Sequence, residues 1–441
     1  MNSTDRANRW LMTDTAAAVP FVTRLRVKNF RSIADVDVTL GPLNVLIGLN
    51  AAGKSNLLDC LLFLRQCLME RPAQAVHERG GAEALFHQPS VGESTDSLSI
   101  EVDLVLRHRQ FDADEAPQPP TTATYGFRLV RKPAHTRQPI AVDAEWLKVT
   151  SSGTDEGHAI PRGFRRNHNG MVASLDEGRS AVGPIMSTDL WLGNASAVEE
   201  TYAGILHALT SIELYTPDPA RIAEPQRTTS GETLLPDASN LGQVLGTLAT
   251  THPTIKARLD AYLSAIVPGA LSLDERPLSS FSTVQLRQRD EKSGEVSTFD
   301  GGQLSYGTLR AAGLLGALFQ PDALDGFTSL ICVDEPELGL HPSAAGVIFD
   351  ALTEASQRVQ VIVATQSGDL LDRDEFDPDW VKVVAIRDGA TVVGPLDDVA
   401  HRILDKGLAT VGGLMRGDQL SPAEPDDNDQ GHGQDHDQER P

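Results

Sequence analysis

The chain has 441 residues, 40% of them hydrophobic but only 5% aromatic, so a large and mainly aliphatic core is expected. Its formal net charge is −23; from 421 to 441 seven acids face one base, Arg440, which puts −6 on that tail and leaves −17 on the body. Such a balance excludes a broad basic coat for nucleic acid, though a local basic groove remains compatible with it.

Cys60, Cys67 and Cys332 show no zinc or disulfide spacing and lie in apolar runs, so buried thiols in a reducing compartment are expected. No apolar run approaches the roughly 18 residues that cross a bilayer, and the N-terminus makes a poor signal peptide. A cytoplasmic protein with no membrane association is the expectation.

Residues 1–20 read as a disordered leader. From 22 to 28 the sequence alternates, with Leu25 and Val27 on one face and Arg24, Arg26 and Lys28 on the other, which predicts a half-buried strand. Those bases form a solvated face or, in the alternative, a phosphate or nucleic-acid contact. Residues 43–47 make a short apolar run consistent with a buried strand, and Leu57, Leu58, Leu61, Leu62 and Leu68 recur at helical spacing after Gly53. Strands at 98–106, 125–130 and 140–149 predict an antiparallel meander, with loops at 112–122 and 151–169. Residues 184–267 read as helical without a sustained heptad, and 284–286 with 295–299 suggest a small hairpin. A helix at 309–319, a strand at 330–333, a helix after Pro342 and a strand at 359–364 follow. Asp388-Gly389 joins 381–386 to 391–393 as a hairpin, and beyond Arg416 the chain is acidic, of low complexity and expected to be disordered.

Three segments carry chemistry. Gly48-Leu-Asn50-Ala-Ala-Gly53-Lys54-Ser55 is a G-x4-GKS loop between the strand 43–47 and an amphipathic helix. Glycines let its backbone N–H groups wrap phosphate oxygens at a helix N-terminus, Lys54 reaches the outer phosphates, and the Ser55 hydroxyl suits Mg²⁺. Leu330-Ile-Cys-Val-Asp334-Glu335-Pro336 delivers two acids from an apolar strand; Asp334 holds the metal through water, and Glu335 deprotonates the attacking water, which predicts hydrolysis and not binding alone. In Leu304-Ser305-Tyr306-Gly307-Thr308-Leu309-Arg310, Ser305 reads as a helix N-cap and Gly307 as a turn residue when taken alone; its place ahead of the two acids points to a second anion-binding terminus.

Those three elements, in that order, resemble the ABC-class ATPases of the SMC, RecF and OLD branch. Leu-Ser-x-Gly-x-x-Arg is similar to their signature motif, and Glu335-Pro-Glu337-Leu-Gly-Leu-His341-Pro to their extended Walker B and D-loop. Lys28-Asn-Phe30-Arg31-Ser32-Ile resembles the opening of such heads, where the basic residue lies near the nucleotide. Gly242-Gln-Val-Leu and Ile266-Val-Pro-Gly269 resemble the middle of RecF-like predicted AAA ATPases of bacteria. The resemblance covers roughly 22–415 and implies an α/β P-loop NTPase: an ABC-type ATPase head with an N-terminal antiparallel β lobe and a helical insertion. It divides the chain into a P-loop half (22–70), a β-rich lobe (71–183), a mostly helical insertion (184–296), a signature, Walker B and switch half (297–415), and an acidic disordered tail (416–441).

The resemblance further implies ATP and Mg²⁺ as cofactors. Gly48, Asn50, Gly53, Lys54, Ser55, Asn56, Arg31 and Ser32 would surround the nucleotide, and Lys54, Glu335 and Gln366 would serve hydrolysis. Ser55, Asp334 and Gln88 would face the metal; for Gln88, a surface-loop glutamine is the competing reading. Ser305, Gly307 and Arg310 of a second copy would close over the γ-phosphate, so that ATP joins a head-to-tail homodimer. Gln366 stands where many relatives carry histidine, and an amide cannot become a cation, so slow turnover is expected. The absence of a long coiled coil sets the chain apart from SMC proteins, and 75 residues after Gln366 leave little room for the Toprim domain of an OLD nuclease. DNA transactions of the RecF kind and regulation of a separate effector protein in a defence or toxin-like module are the two roles carried forward. The acids Asp372, Asp374, Glu375, Asp377 and Asp379 read as a solvated loop, and His432 and His436 as tail residues, not as metal sites.

Overall fold

The computed structural model describes residues 21–89, 95–106, 120–132, 139–151, 162–174, 188–197, 199–228, 233–373 and 376–424. The expected leader, much of the loop after 106, Asp374, Glu375, His432 and His436 lie outside them. Along the chain, β1 (Phe21–Phe30) and β2 (Ile33–Thr39) precede β3 (Leu43–Ile47) and the helix Lys54–Met69. Next come β4 (Ser97–Leu106), β5 (Thr121–Arg131), β6 (Ile140–Ser151), β7 (Arg162–Arg166) and β8 (Val172–Ser174). The helix Glu200–Thr210 leads into β9 (Ile212–Tyr215), followed by β10 (Gln226–Arg227) and the helices Leu241–Thr251 and Pro253–Ile266. A meander of β11 (Ala270–Leu278), β12 (Phe281–Arg289) and β13 (Val296–Asp300) precedes the helix Tyr306–Phe319. The chain then runs through β14 (Leu330–Asp334), the helix Pro342–Ala355, β15 (Gln360–Thr365), β16 (Val381–Arg387) and β17 (Ala390–Gly394) to the helix Val411–Arg416.

These strands form three sheets. An antiparallel sheet runs β2-β1-β4-β5-β6-β7-β8, and a small sheet gathers β10 to β13 around β12. The central sheet runs β17-β16-β3-β15-β14-β9, parallel throughout except for the terminal β16–β17 hairpin. Its inner strands are mostly apolar because both faces are covered. Leu46, Cys332, Ile362 and Val384 face one core, shared with the helix Lys54–Met69 and the antiparallel sheet. Val45, Ile331, Val363 and Val383 face the other, under the helices Tyr306–Phe319 and Pro342–Ala355. The buried Gln360 side chain joins the two sheets: its amide donates to Val22 O (2.7 Å) and Gly41 O (2.9 Å) and accepts from Val22 N (3.0 Å).

Four expectations need correction. The stretch read as helical contains β9, which pairs with β14 and closes the central sheet; four residues are too short for periodicity to reveal. The expected hairpin at 284–299 is a meander whose extra strand, β11, is masked by Asp274, Glu275, Arg276 and Pro277. The loop at 151–169 contains β7, three of whose five residues are arginine. The chain past Arg416 is still packed at Pro422, which bridges to Leu396, while Ala423 N donates to Pro395 O at 2.9 Å. The three thiols are free and buried, and burial pushes each of them up, so none is poised as a nucleophile.

Candidate functional site

Because β3, β15 and β14 are adjacent and parallel, their C-terminal ends open on one edge, where open α/β sheets place their ligands. β3 exits into the loop 48–53, whose backbone turns through Gly48 (φ 156°), Ala51 (φ 62°) and Gly53 (φ 108°). Left-handed geometry at Gly53 delivers the chain into the helix Lys54–Met69, whose N-terminus carries no side-chain cap. Lys54 is buried, and its ammonium donates to the loop carbonyls of Gly48 (2.7 Å) and Leu49 (2.9 Å). Burial lowers its pKa, opposed by the nearby carboxylates of Asp334, Glu335 and Glu337. Asn50 stands exposed at the loop tip.

β14 ends on Asp334, whose carboxylate accepts from the Ser55 hydroxyl at 2.8 Å. Glu335 follows in a left-handed conformation (φ 49°) that turns the chain out of the sheet, its N–H bound to Ala364 O at 2.8 Å. A non-glycine residue held there is strained, a feature concentrated at functional sites. β15 ends beside it: the Gln366 amide donates to the Glu335 carboxylate, and the Thr365 hydroxyl donates to Glu337 at 2.7 Å. Burial pushes Glu337 up, with Glu335 adding to the shift against the hydrogen bonds from Thr365 and Gln366.

The remaining sequence-derived residues divide. Ser32 and Asn56 lie against the loop and bond to each other at 2.7 Å. The Arg31 guanidinium pairs with Asp59 at 2.8 Å, on the helix that follows the loop. Gln88 donates to Glu83 O at 2.7 Å. Ser305 caps the helix Tyr306–Phe319, accepting from Thr308 N at 3.1 Å. A Cβ on Gly307 would stand 2.9 Å from Gly339 O, so that glycine lets the helix start approach the turn after Glu335. Arg310 lies in the same copy within 3.5 Å of the Glu335 carbonyl oxygen. Tyr306 (70% exposed), Leu49 (64%) and Leu338 (52%) leave apolar surface on the three chemistry-bearing segments.

The basic strip at the N-terminus is compensated. Arg24 pairs with Asp37, Arg26 with Glu101 and Asp103, and Lys28 with Asp35 at 3.1 Å. Asp372 also has a structural partner set, the Thr410 hydroxyl and Arg416, which pin the helix Val411–Arg416 beside the chain leaving Gln366. No three described His, Cys, Asp or Glu residues cluster as a metal site. Sequence reasoning had no role for Glu337, although it lies within residues 335–342. It also missed Thr391, which braces the loop from β17 and carries no local signature.

The fold and the motif order are similar to those of ABC-type P-loop ATPase heads. A family profile described as "AAA ATPase domain" matches residues 21–101, and one described as "AAA domain, putative AbiEii toxin, Type IV TA system" matches 239–373. A curated relative, the OLD nuclease of Thermus scotoductus, is 54% identical over 38 residues; the match covers 9% of this chain and 7% of that protein's length. Among solved structures, an Smc head bound to the C-terminal winged-helix domain of ScpA aligns with 86% of this chain and 99% of its own, at 15% identity and TM-score 0.48. The Smc head with an extended coiled coil bound to the C-terminal domain of ScpA, from Pyrococcus furiosus, aligns with 88% and 100% at 14% identity and TM-score 0.46. For the SMC head domain of Thermotoga maritima the values are 85%, 99%, 12% and 0.41. The motifs, the architecture and the two profile matches support an AAA/ABC-type ATPase of the SMC, RecF and OLD kind. Among the described residues no helix is long and apolar enough to cross a membrane.

Proposed function

We propose that this chain binds ATP with Mg²⁺ and hydrolyses it slowly, as an ATP-driven head-to-tail homodimer. The observation that carries the reading is the convergence of Lys54, the Ser55–Asp334 pair and the Glu335–Gln366 pair at the ends of three adjacent parallel strands. A hydroxyl and a carboxylate 2.8 Å apart are hard oxygen donors of the kind Mg²⁺ takes. When bound, the ion would neutralise charge on the β and γ phosphates. The loop N–H groups and Lys54 hold the phosphates; Glu335, steered by the Gln366 amide, takes a proton from the water that attacks the γ-phosphorus, and ADP leaves with inorganic phosphate as the second product. A neutral amide stabilises developing charge less than an imidazolium does, which accounts for the slow rate expected.

Ser305, Gly307 and the exposed apolar residues at the same surface suit closure by a second copy. Replacing Ser305 by Arg puts a bulky cation at that closure and is expected to abolish ATP-dependent dimerisation and turnover while leaving ATP binding by the single copy intact. Size-exclusion chromatography with light scattering, with and without ATP, reads the first; calorimetry reads the last. Unchanged dimerisation and turnover would sink the composite site.

Two roles can be built on this ATPase. DNA transactions rest on the resemblance to RecF- and OLD-type proteins. Control of a separate effector protein is favoured by the basic strip, whose charges are already paired with acids, and by the description attached to the 239–373 match. Turnover measured with and without linear duplex DNA at low and moderate salt separates them. Stimulation that falls steeply with salt supports the first, and indifference to DNA supports the second.

A further inference from the structure

The hairpin β16–β17 touches the phosphate loop at both of its essential glycines. A Cβ on Gly48 would lie 2.0 Å from Val384 O, and one on Gly53 would lie 2.2 Å from the Thr391 hydroxyl. Thr391 is 1% exposed, and its hydroxyl donates to Ala52 O at 2.9 Å, across 339 residues of sequence. The same oxygen lies 2.7 Å from the Ser32 hydroxyl, and Asn56 donates its amide to Ser32 Oγ at 2.7 Å. A hydroxyl has one proton, and that of Thr391 is committed to Ala52, so Ser32 must donate to Thr391. The result is a directed chain from the Asn56 amide through the Ser32 and Thr391 hydroxyls to the Ala52 carbonyl. Thr391 N–H closes the brace by donating to Ser32 O at 2.8 Å.

We propose that Thr391 is a positioning residue for nucleotide binding: through this chain it holds the Ala51–Gly53 turn in the conformation that aims the loop N–H groups at phosphate. Ala51 sits at φ 62°, a conformation that a residue with a Cβ adopts only when its surroundings impose it. Among the described residues, the Ala52 carbonyl is the loop oxygen the hairpin restrains, and Ser32 and Asn56 act by completing the chain and not by touching phosphate. Thr391 itself touches neither nucleotide nor metal.

This inference rests on the ATP-site reading, and the experiment separates the two. ATP·Mg²⁺ binding is measured by calorimetry, and turnover by phosphate release, for wild type, Thr391→Val, Thr391→Ser, Ser32→Ala and the double variant Ser32→Ala/Thr391→Val. Loss of one buried hydrogen bond should weaken ATP binding roughly five- to tenfold in Thr391→Val. The effect should appear in KM with kcat retained, because Glu335 and Gln366 are untouched. Thr391→Ser should restore affinity, and the double variant should bind little worse than Thr391→Val alone. Should Thr391→Val fail to fold, Ser32→Ala, which leaves the hairpin intact, carries the same KM expectation. Wild-type affinity in Thr391→Val, equal losses in Val and Ser, or additive losses in the double variant would each overturn the proposal. Wild type that binds no nucleotide would instead overturn the ATP site.

Discussion

Replacing Glu335 by Gln is expected to lower ATP turnover by a factor on the order of 10² to 10⁴, the range typical for loss of a positioned general base. The substitution preserves shape and the contact with the Gln366 amide but removes the proton acceptor. Glu335 is held by its backbone as well as its side chain: its N–H is tied to Ala364 O at 2.8 Å, and its φ of 49° directs the carboxylate out of the sheet edge. Lys54, Ser55 and Asp334 are untouched, so ATP should still bind, and the ATP-joined dimer should accumulate because its release is blocked. Phosphate release and light scattering on the same sample test both halves. Turnover at the wild-type rate would move the base elsewhere, with Glu337 the first residue to substitute next, since its carboxyl is already pushed up by burial.

Glu145→Ala should be the most damaging single change to the antiparallel sheet, costing about 3–5 kcal/mol of stability. Glu145 and Arg166 are both fully buried, 3.7 Å apart on neighbouring strands β6 and β7. The Glu145 carboxylate also accepts from Trp191 N (2.6 Å), Leu192 N (3.0 Å) and the Tyr125 hydroxyl (3.0 Å), which fastens residues 191–192 to the sheet. Burial pushes its pKa up, and those donors together with Arg166 oppose the shift. Truncation leaves a guanidinium without its carboxylate and three donors without an acceptor. Replacing both partners by apolar residues of similar volume should recover much of the loss, because no uncompensated charge then remains. Urea unfolding of the single and double variants reads this; a loss below about 1 kcal/mol in the single variant would show that water or relaxation compensates the site.

How much of this was legible in the sequence varies from segment to segment. The G-x4-GKS loop, the acids after 330–333 and the Asp388-Gly389 hairpin are local devices. Gly53 at φ 108° and Asp388-Gly389 at φ 52° and 81° each meet a requirement set within a few residues, and so local sequence marks them. β3, β14 and β15 were equally readable, since a strand covered on both faces is mostly apolar, and the buried amide side chains in them, Asn44 and Gln360, are satisfied by backbone partners. β9 was not: Ile212–Tyr215 is strand only because β14 offers it an edge to pair with. β7 likewise depends on its neighbours, because its buried Arg166 pairs with Glu145 across the sheet and donates to the Asp189 carbonyl oxygen.

Charge shows the same division. The sequence by itself determined that Arg24, Arg26 and Lys28 share one face of a strand, because side chains alternate across a strand whatever surrounds it. Only the tertiary structure decided that Asp35, Asp37, Glu101 and Asp103 would lie opposite them and pair with them. At the site, residue types and spacing specified which groups exist: a phosphate loop, two acids and an amide in place of histidine. The parallel order β3-β15-β14 decided that they meet, and the hairpin at 390–394 supplied Thr391 to brace the loop. Local conformation is set by interactions along the chain, whereas the partner of a given hydroxyl or carboxylate is set by which strands the sheet makes neighbours, and no spacing along the chain encodes that choice.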